Sequence, residues 1–222
     1  MPSSNDYSAI PRDPLNPMTS SKVRLGQQLF HESGFGSVGK LEDFVGTYSC
    51  ATCHHARGGF QANMAQGIGE GGMGFGVSGE LRMMAEGIDA SLIDVQPLRT
   101  PSALNSAYQT NHLWNGQFGG TGLNSYTTSV WPETGPISIN NLGYSGVETQ
   151  AIAGLEVHRH DFDLESVREL GFQTLWDQVF VDVPESDPYT RERAGLAIAE
   201  YARTLLANQP PFQRWLVDLN CD

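Results

Sequence analysis

The chain has 222 residues, 39% of them hydrophobic, with 25 acidic against 13 basic side chains and a formal net charge of −12. That is long enough to bury a real core and too apolar for a disordered chain, while no apolar run approaches the roughly 20 residues that cross a bilayer. The negative balance argues against nucleic acid, whose phosphates it would repel, and suits a basic protein partner.

Residues 1–18 carry four prolines and read as an extended arm. Their start, "MPSSNDYSAI", has neither a basic n-region nor an apolar h-region, so no signal peptide is visible in this numbering. "SSKVRLGQQLFHES" (20–33) predicts a helix with Val23, Leu25, Leu29 and Phe30 inward and Ser20 or Ser21 as cap. "GFGSVGK" (34–40) breaks it, and a short helix is expected to open at Cys50–His54. Nine glycines between Arg57 and Glu80 leave no room for a regular element, so a folded loop is expected there. "LRTPSALNSAYQTNHLWNG" (98–116) begins with Thr-Pro and predicts a helical turn carrying Ala103, Leu104 and Ala107 on one face. Residues 117–147, rich in Gly, Ser, Asn and Thr, read as an insertion or surface lobe. A helix over 163–180 would bury Val167, Leu170, Leu175 and Val179. The strongest helix is expected within 189–208, with Leu196, Ala199, Ala202, Leu205 and Leu206 on one side. The fold class is therefore mainly α with long Gly-rich loops and few or no strands.

The chemistry concentrates in "GTYSCATCHHARGGF" (46–60). CxxCH is a specific pattern because each member has a task. Cys50 and Cys53 can add across the two vinyl groups of a haem, and His54 then falls beneath the iron as its proximal ligand. A structural zinc site would want two more ligands at short spacing, and the remaining cysteine, Cys221, stands alone. A thioredoxin-like thiol pair would want a βαβ context, which is not visible. Covalently attached haem c, one in this chain, is the reading that fits. Haem attachment occurs outside the cytoplasm, so a periplasmic or otherwise extracytoplasmic protein is expected. Two strong axial ligands would make an electron carrier, and one ligand with an open face would make a site for peroxide or oxygen chemistry.

Five segments resemble, in order, the bacterial diheme cytochrome c peroxidase family, which includes relatives that oxidise protein tryptophans. They are "RLGQQLF" (24–30), "SCATCHHARGGF", "LRTPSALNSAYQTNHLWNG", "ETQAIAGLEV" (148–157) and "EYARTLLANQPPFQRW" (200–215). The resemblance implies a cytochrome c-like haem domain over 19–215, with 216–222 the start of a linker. It makes Trp114 an electron relay toward a second haem. It makes Glu156 the distal group that moves a proton between peroxide oxygens, with Gln150 a neighbouring polar contact. Hydrogen peroxide is the implied oxidant, and a small cytochrome or cupredoxin the implied donor. The rival function is a monohaem c-type electron carrier, or a cytochrome subunit of a larger assembly. A further alternative is a module that retains haem without chemistry.

The sequence also departs from that family. Glu70 in "GIGEGG" stands where many members carry a histidine that binds the iron, and no histidine occurs between 56 and 111. An open or water-bound distal face is expected, with Met64, Met73, Met83 and Met84 as rival ligands. His31, His55, His158 and His160 read as surface or satisfied histidines, and His112 as the one whose distance from the iron matters. Arg99 stands where an asparagine helps hold the family's calcium. A guanidinium cannot ligate a cation, so calcium is doubtful, and Arg99 reads equally as a partner for a haem propionate or as a surface residue. The stretch from Trp114 to Gln150 is longer than the family pattern and reads as a lid, a docking lobe or an inert insertion. A second CxxCH is absent from these residues, so either the chain is a fragment, or a partner domain or chain supplies the second haem, or one haem suffices for a different task.

Overall fold

The structure, a computed structural model, describes residues 6–181, 188–208 and 215. Cys221, the linker expected at 216–222 and most of the closing Pro-Phe-x-x-Trp stretch lie outside the described residues, as do residues 1–5 of the arm.

Three helices make the frame. Helix α1, Ser20–His31, is capped by Thr19, whose hydroxyl accepts from the Lys22 amide at 3.2 Å, one position ahead of the expected serines. It buries Leu25, Leu29 and Phe30. A single turn follows as α2, Cys50–Cys53, and then α3, Gly146–Val157. Helices α4, Leu164–Glu169, and α5, Gln173–Val179, precede α6, Arg191–Arg203. Helix α6 lies between α1 and α3, and a glycine permits each crossing. A Cβ at Gly26 would stand 1.9 Å from the Ala197 carbonyl oxygen, and one at Gly195 would stand 2.5 Å from Ile152 Cγ1. Backbone therefore meets backbone or side-chain root at both crossings, closer than two larger residues would allow.

The core fills the remaining angle. Trp176 is fully buried against Phe162 and Tyr189, and its indole N–H donates to the Pro188 carbonyl at 3.0 Å. Phe35 stacks on Phe162 with ring centroids 4.4 Å apart. Among the described residues the one sheet is a two-stranded antiparallel ribbon, β1 (Gly72–Met73) with β2 (Met83–Met84), inside the glycine-rich loop. The fold is mainly α, as expected.

Two expected helices come out differently. The run 163–180 is split at Gly171, whose φ of +79° suits glycine. The Phe172 amide reaches back to Val167 O at 2.8 Å and the Gly171 amide to Arg168 O at 3.0 Å, a Schellman stop. Leu170 is left on the surface while Val167 stays fully buried. The stretch 98–116 forms only a 3-10 turn at Ser106–Tyr108. Its amides are committed elsewhere: Ala103 donates to Phe60 O, Leu104 to the Ser102 hydroxyl and Asn105 to Leu205 O. Helix α6 ends at Arg203, sooner than expected, and Leu205 remains buried beyond it.

The segment ahead of α1 is built into the body rather than lying over it. Asp13 Oδ2 accepts from the Ser145 hydroxyl at 2.7 Å, and the Pro11 carbonyl accepts from Arg203 at 2.9 Å. Arg203 in turn makes a buried bidentate pair with Glu148, at 2.9 and 2.6 Å. Lys22 Nζ donates to Asn16 Oδ1 at 3.0 Å. Glu200 lies in the same buried group and neither of its carboxylate oxygens has a hydrogen-bond partner. Burial, and then the neighbouring Glu148, push its carboxyl up to about 8 against the opposing pull of Arg203 and Lys22.

The insertion contributes two 3-10 stretches, Gly122–Val130 and Pro136–Leu142, the second resting on α3. Asn140 pins it, accepting from the Gly119 amide at 2.9 Å and donating to Gln117 O at 2.8 Å.

Two predictions follow from this packing. Gly26→Ala, although it favours helix locally, forces α1 off α6 and should lower stability by roughly 3 kcal/mol, about 6–12 °C in Tm, read by thermal unfolding. Glu200 holds its proton in the folded chain well above the unfolded value near 4.3. Its contribution to stability is therefore complete below that value and is lost as pH rises through about 8. Melting curves of Glu200→Gln between pH 6 and pH 9 should fall less with pH than those of the wild type.

Candidate functional site

Helix α2 is one turn long because its start and finish are both specified locally. The Ser49 amide donates to Thr52 Oγ1 at 2.9 Å, and the His54 amide to Cys50 O at 2.9 Å. One turn of helix sets Cys50 and Cys53 three residues apart on one face. Both thiols are free and half-buried. Burial pushes each up to about 12, so neither is a reactive thiolate of the redox-pair kind.

Beyond α2 the chain curls sharply. Phe60, with φ of +55°, donates its amide to His55 O at 2.8 Å, which turns its own carbonyl toward His54. His54 Nδ1 lies 2.9 Å from that carbonyl oxygen. A carbonyl only accepts, so Nδ1 carries the proton and Nε2 keeps its lone pair for a metal. Burial drives the imidazole down to about 4, with nearby His158 and His55 also disfavouring the cation, so the ring is neutral, as a ligand must be. Two free thiols on one helical face, followed by an imidazole with Nε2 available, are the donor set that covalent haem requires. The observed geometry fits that group.

The glycine-rich loop closes over this turn. A Cβ at Gly67 would meet Cys53 Sγ at 3.0 Å and Thr100 Oγ1 at 2.3 Å, and one at Gly69 would meet Asp94 Oδ2 at 2.3 Å. Arg82, almost fully buried, clamps the loop by donating to the carbonyls of Ile68, Gly69 (2.6 Å) and Gly74 (3.2 Å). Glu70 is fully buried, with its carboxylate held by Arg159 and by the Leu41 amide at 2.7 Å. Asp94 binds His158 Nδ1 at 2.8 Å. These two pairs join the loop to the residues just after α3.

The other candidates are dispersed. Trp114 is 95% exposed at the tip of a tight turn, Leu113–Gly116, so it is not a core aromatic. Glu156 is half-exposed and faces Arg191 at 3.9 Å, in a groove shared with Ser138, Ile139, Leu142 and Ile152. Gln150 sits half-buried on α3. Arg99 is exposed and donates to Ala62 O at 3.3 Å. His112 is buried beside Gly146 with Nε2 unpartnered, among groups of the Arg203–Glu148 cluster. His55 Nε2 is likewise buried and has no hydrogen-bond partner among the described residues. Of the four methionines weighed as ligands, Met73, Met83 and Met84 stand exposed on the β-ribbon, beside exposed Phe75, Val77 and Leu81. Sequence reasoning missed Arg82, Asp94 and the role of the Phe60 carbonyl. No local pattern marks any of them.

A family model described as di-haem cytochrome c peroxidase matches residues 20–220. The chain belongs to the di-haem cytochrome c peroxidase family. Among its relatives are the methylamine utilization proteins MauG of Methylophilus methylotrophus and of Methylorubrum extorquens. The first is 27% identical over 214 residues, 94% of this chain and 47% of that protein. The second is 24% identical over 209 residues, 93% and 44% respectively. A solved MauG-like protein associated with microbial copper homeostasis shares the fold at a TM-score of 0.53 and 17% identity, over 99% of this chain and 49% of that one. The chain thus spans about half the length of the relatives it matches. Its family is one of c-type haem oxidoreductases, and the observed geometry of CxxCH fits haem attachment.

Replacing both thiols, Cys50→Ser with Cys53→Ser, should abolish covalent haem while either single change leaves one thioether. Intact mass under denaturing conditions reads the outcome directly.

Proposed function

We propose that this chain carries the peroxidatic haem domain of a di-haem peroxidase-like protein, reducing hydrogen peroxide with electrons from a small cytochrome or cupredoxin. The observation that carries the reading is the His54 Nδ1 to Phe60 carbonyl bond, which readies one axial ligand, in a chain of this family. Bound by Cys50, Cys53 and His54, haem c would supply the one-electron redox chemistry that peptide groups lack.

Peroxide reduction consumes two electrons and two protons and yields two waters. The protein's share is to orient His54, exclude bulk water around α2 and deliver protons to the oxygens. Trp114, displayed on the surface, suits electron exchange with a second haem domain or chain. The net charge of −12 would draw a basic donor, an attraction that salt weakens. An extracytoplasmic location follows from haem attachment. Calcium has no part in this reading, and Arg99 would serve a propionate.

A second reading, a Met/His electron carrier, draws on the exposed methionines of the β-ribbon. The two separate in one preparation. The peroxidase reading expects the ferric holoprotein to be largely high-spin and to oxidise a reduced small cytochrome only when peroxide is added, more slowly at high salt. A six-coordinate Met/His spectrum indifferent to peroxide would sink it.

A further inference from the structure

Glu156 lies in the last turn of α3 and His158 is the residue that caps it, where the backbone has left helical geometry, and the two side chains meet different neighbours. Glu156 faces Arg191 and the 136–142 stretch. His158 faces the other way, and its neighbours trace a continuous path to the second cysteine. Its Nδ1 is bonded to Asp94, Asp94 Oδ2 lies against Gly69, and Gly67 lies against Cys53 Sγ. Gly67 and Gly69 are separated by roughly 7 Å of extended chain. The path is fixed, because the Gly69 amide donates to Asp94 O at 2.9 Å and Ile68 pairs with Val95.

We infer that His158, held by Asp94, is the acid–base group of the haem site, in place of Glu156. The inference rests on the haem-peroxidase reading given above. Asp94 is buried to 3% exposure and His158 is 39% exposed, so the carboxylate is locked while the ring reaches solvent. Bonded through Nδ1, the imidazole has its Nε2 without a hydrogen-bond partner among the described residues. That arrangement fixes the tautomer, with Nδ1 donating to the carboxylate and Nε2 keeping its lone pair.

The other charged and titratable groups around the dyad come from every element that meets it. They are Arg159 and Glu70, paired to each other, Arg82 on the loop, and Tyr48 and His160, whose rings lie 5.3 Å apart. Burial holds His160 neutral, down to about 4, and lifts the Tyr48 hydroxyl far above its usual value, so neither competes as a base near neutrality. In the proposed step Nε2 takes a proton from one peroxide oxygen and returns it to the other. The O–O bond then breaks with one water leaving, and the remaining oxygen becomes the second water with two electrons from the reduced small redox protein and two protons from solvent. His158 is the catalytic group and Asp94 positions it.

Cyanide provides the test, because hydrogen cyanide must lose its proton to bind ferric haem whatever the turnover chemistry. In the holoprotein at pH 7, His158→Gln should slow cyanide association by about 10²-fold. Asp94→Asn should slow binding less than His158→Gln does, and Asp94→Glu, which keeps a carboxylate for Nδ1, should restore part of the rate. Glu156→Gln should slow binding less than His158→Gln does. Covalent haem, read by intact mass, and the ferric spectrum should be those of the wild type in each variant.

If Glu156→Gln slows cyanide binding more than His158→Gln, Glu156 is the base and the inference fails. It fails equally if the wild type is low-spin and His158→Gln turns it high-spin, since His158 is then an iron ligand. Should Asp94→Asn fail to fold, His158→Gln decides the matter alone. A wild-type preparation without covalent haem overturns the underlying reading together with the dyad. A haem-loaded protein indifferent to His158→Gln overturns the dyad only.

Discussion

The site depends on one hydrogen bond, from His54 Nδ1 to the Phe60 carbonyl. It selects the tautomer that leaves Nε2 for iron, and it comes from backbone, which no side-chain substitution removes. Its cost is a non-glycine residue in left-handed conformation at Phe60, which places of order 1–3 kcal/mol of strain at the site. Packing holds the strain in place. The Phe60 ring leans on Phe30 edge-on at 6.3 Å, and the Ala103 amide also donates to the Phe60 carbonyl, at 3.2 Å. That second bond draws the 98–103 segment in toward the site and explains why the Thr-Pro stretch stays extended rather than helical. One carbonyl thus orients His54 and closes the wall beside it.

Buried charge does the work that helices cannot do in the glycine-rich loop. A loop of that composition has little side-chain surface to pack, and its amides and carbonyls need partners. Arg82 answers three of the carbonyls from a single guanidinium. Glu70 and Asp94 bind Arg159 and His158, consecutive residues just past α3. Buried pairs add little net stability compared with apolar packing, but they specify position, since a misplaced charge in the interior is expensive. The loop is therefore held in one arrangement against a helix more than sixty positions later in the chain.

The sequence made legible what is local. CxxCH, the apolar faces of α1 and α6 and the glycine density of the loop each rest on neighbours within a turn or two, and the mainly α class came with them. The resemblance to the family was carried by five such segments and the family match upholds it. What escaped was set by distance or by a single punctuating residue. Gly171 sits in "ELGFQ" where a Schellman stop belongs, yet the hydrophobic period continues across it and hides the break. Asp94 and His158 are 64 residues apart, and nothing near either one marks the other. Trp114 could be a relay or a core residue from sequence, because an aromatic after a histidine reads the same both ways. Only the reverse turn at Leu113–Gly116 displays it.

The Glu70–Arg159 pair also bears on what the open face of the site can be. At the position where the resemblance implied a histidine ligand, this chain has a carboxylate that is already bound twice, by Arg159 and by the Leu41 amide. Releasing it would strand a buried guanidinium and a backbone amide together, a penalty of several kcal/mol. Glu70 therefore has no inexpensive way to swing out of its pair and serve as a ligand. A site built like this would be constitutively configured, its reactivity governed by proton supply and electron delivery rather than by a ligand exchange triggered on reduction.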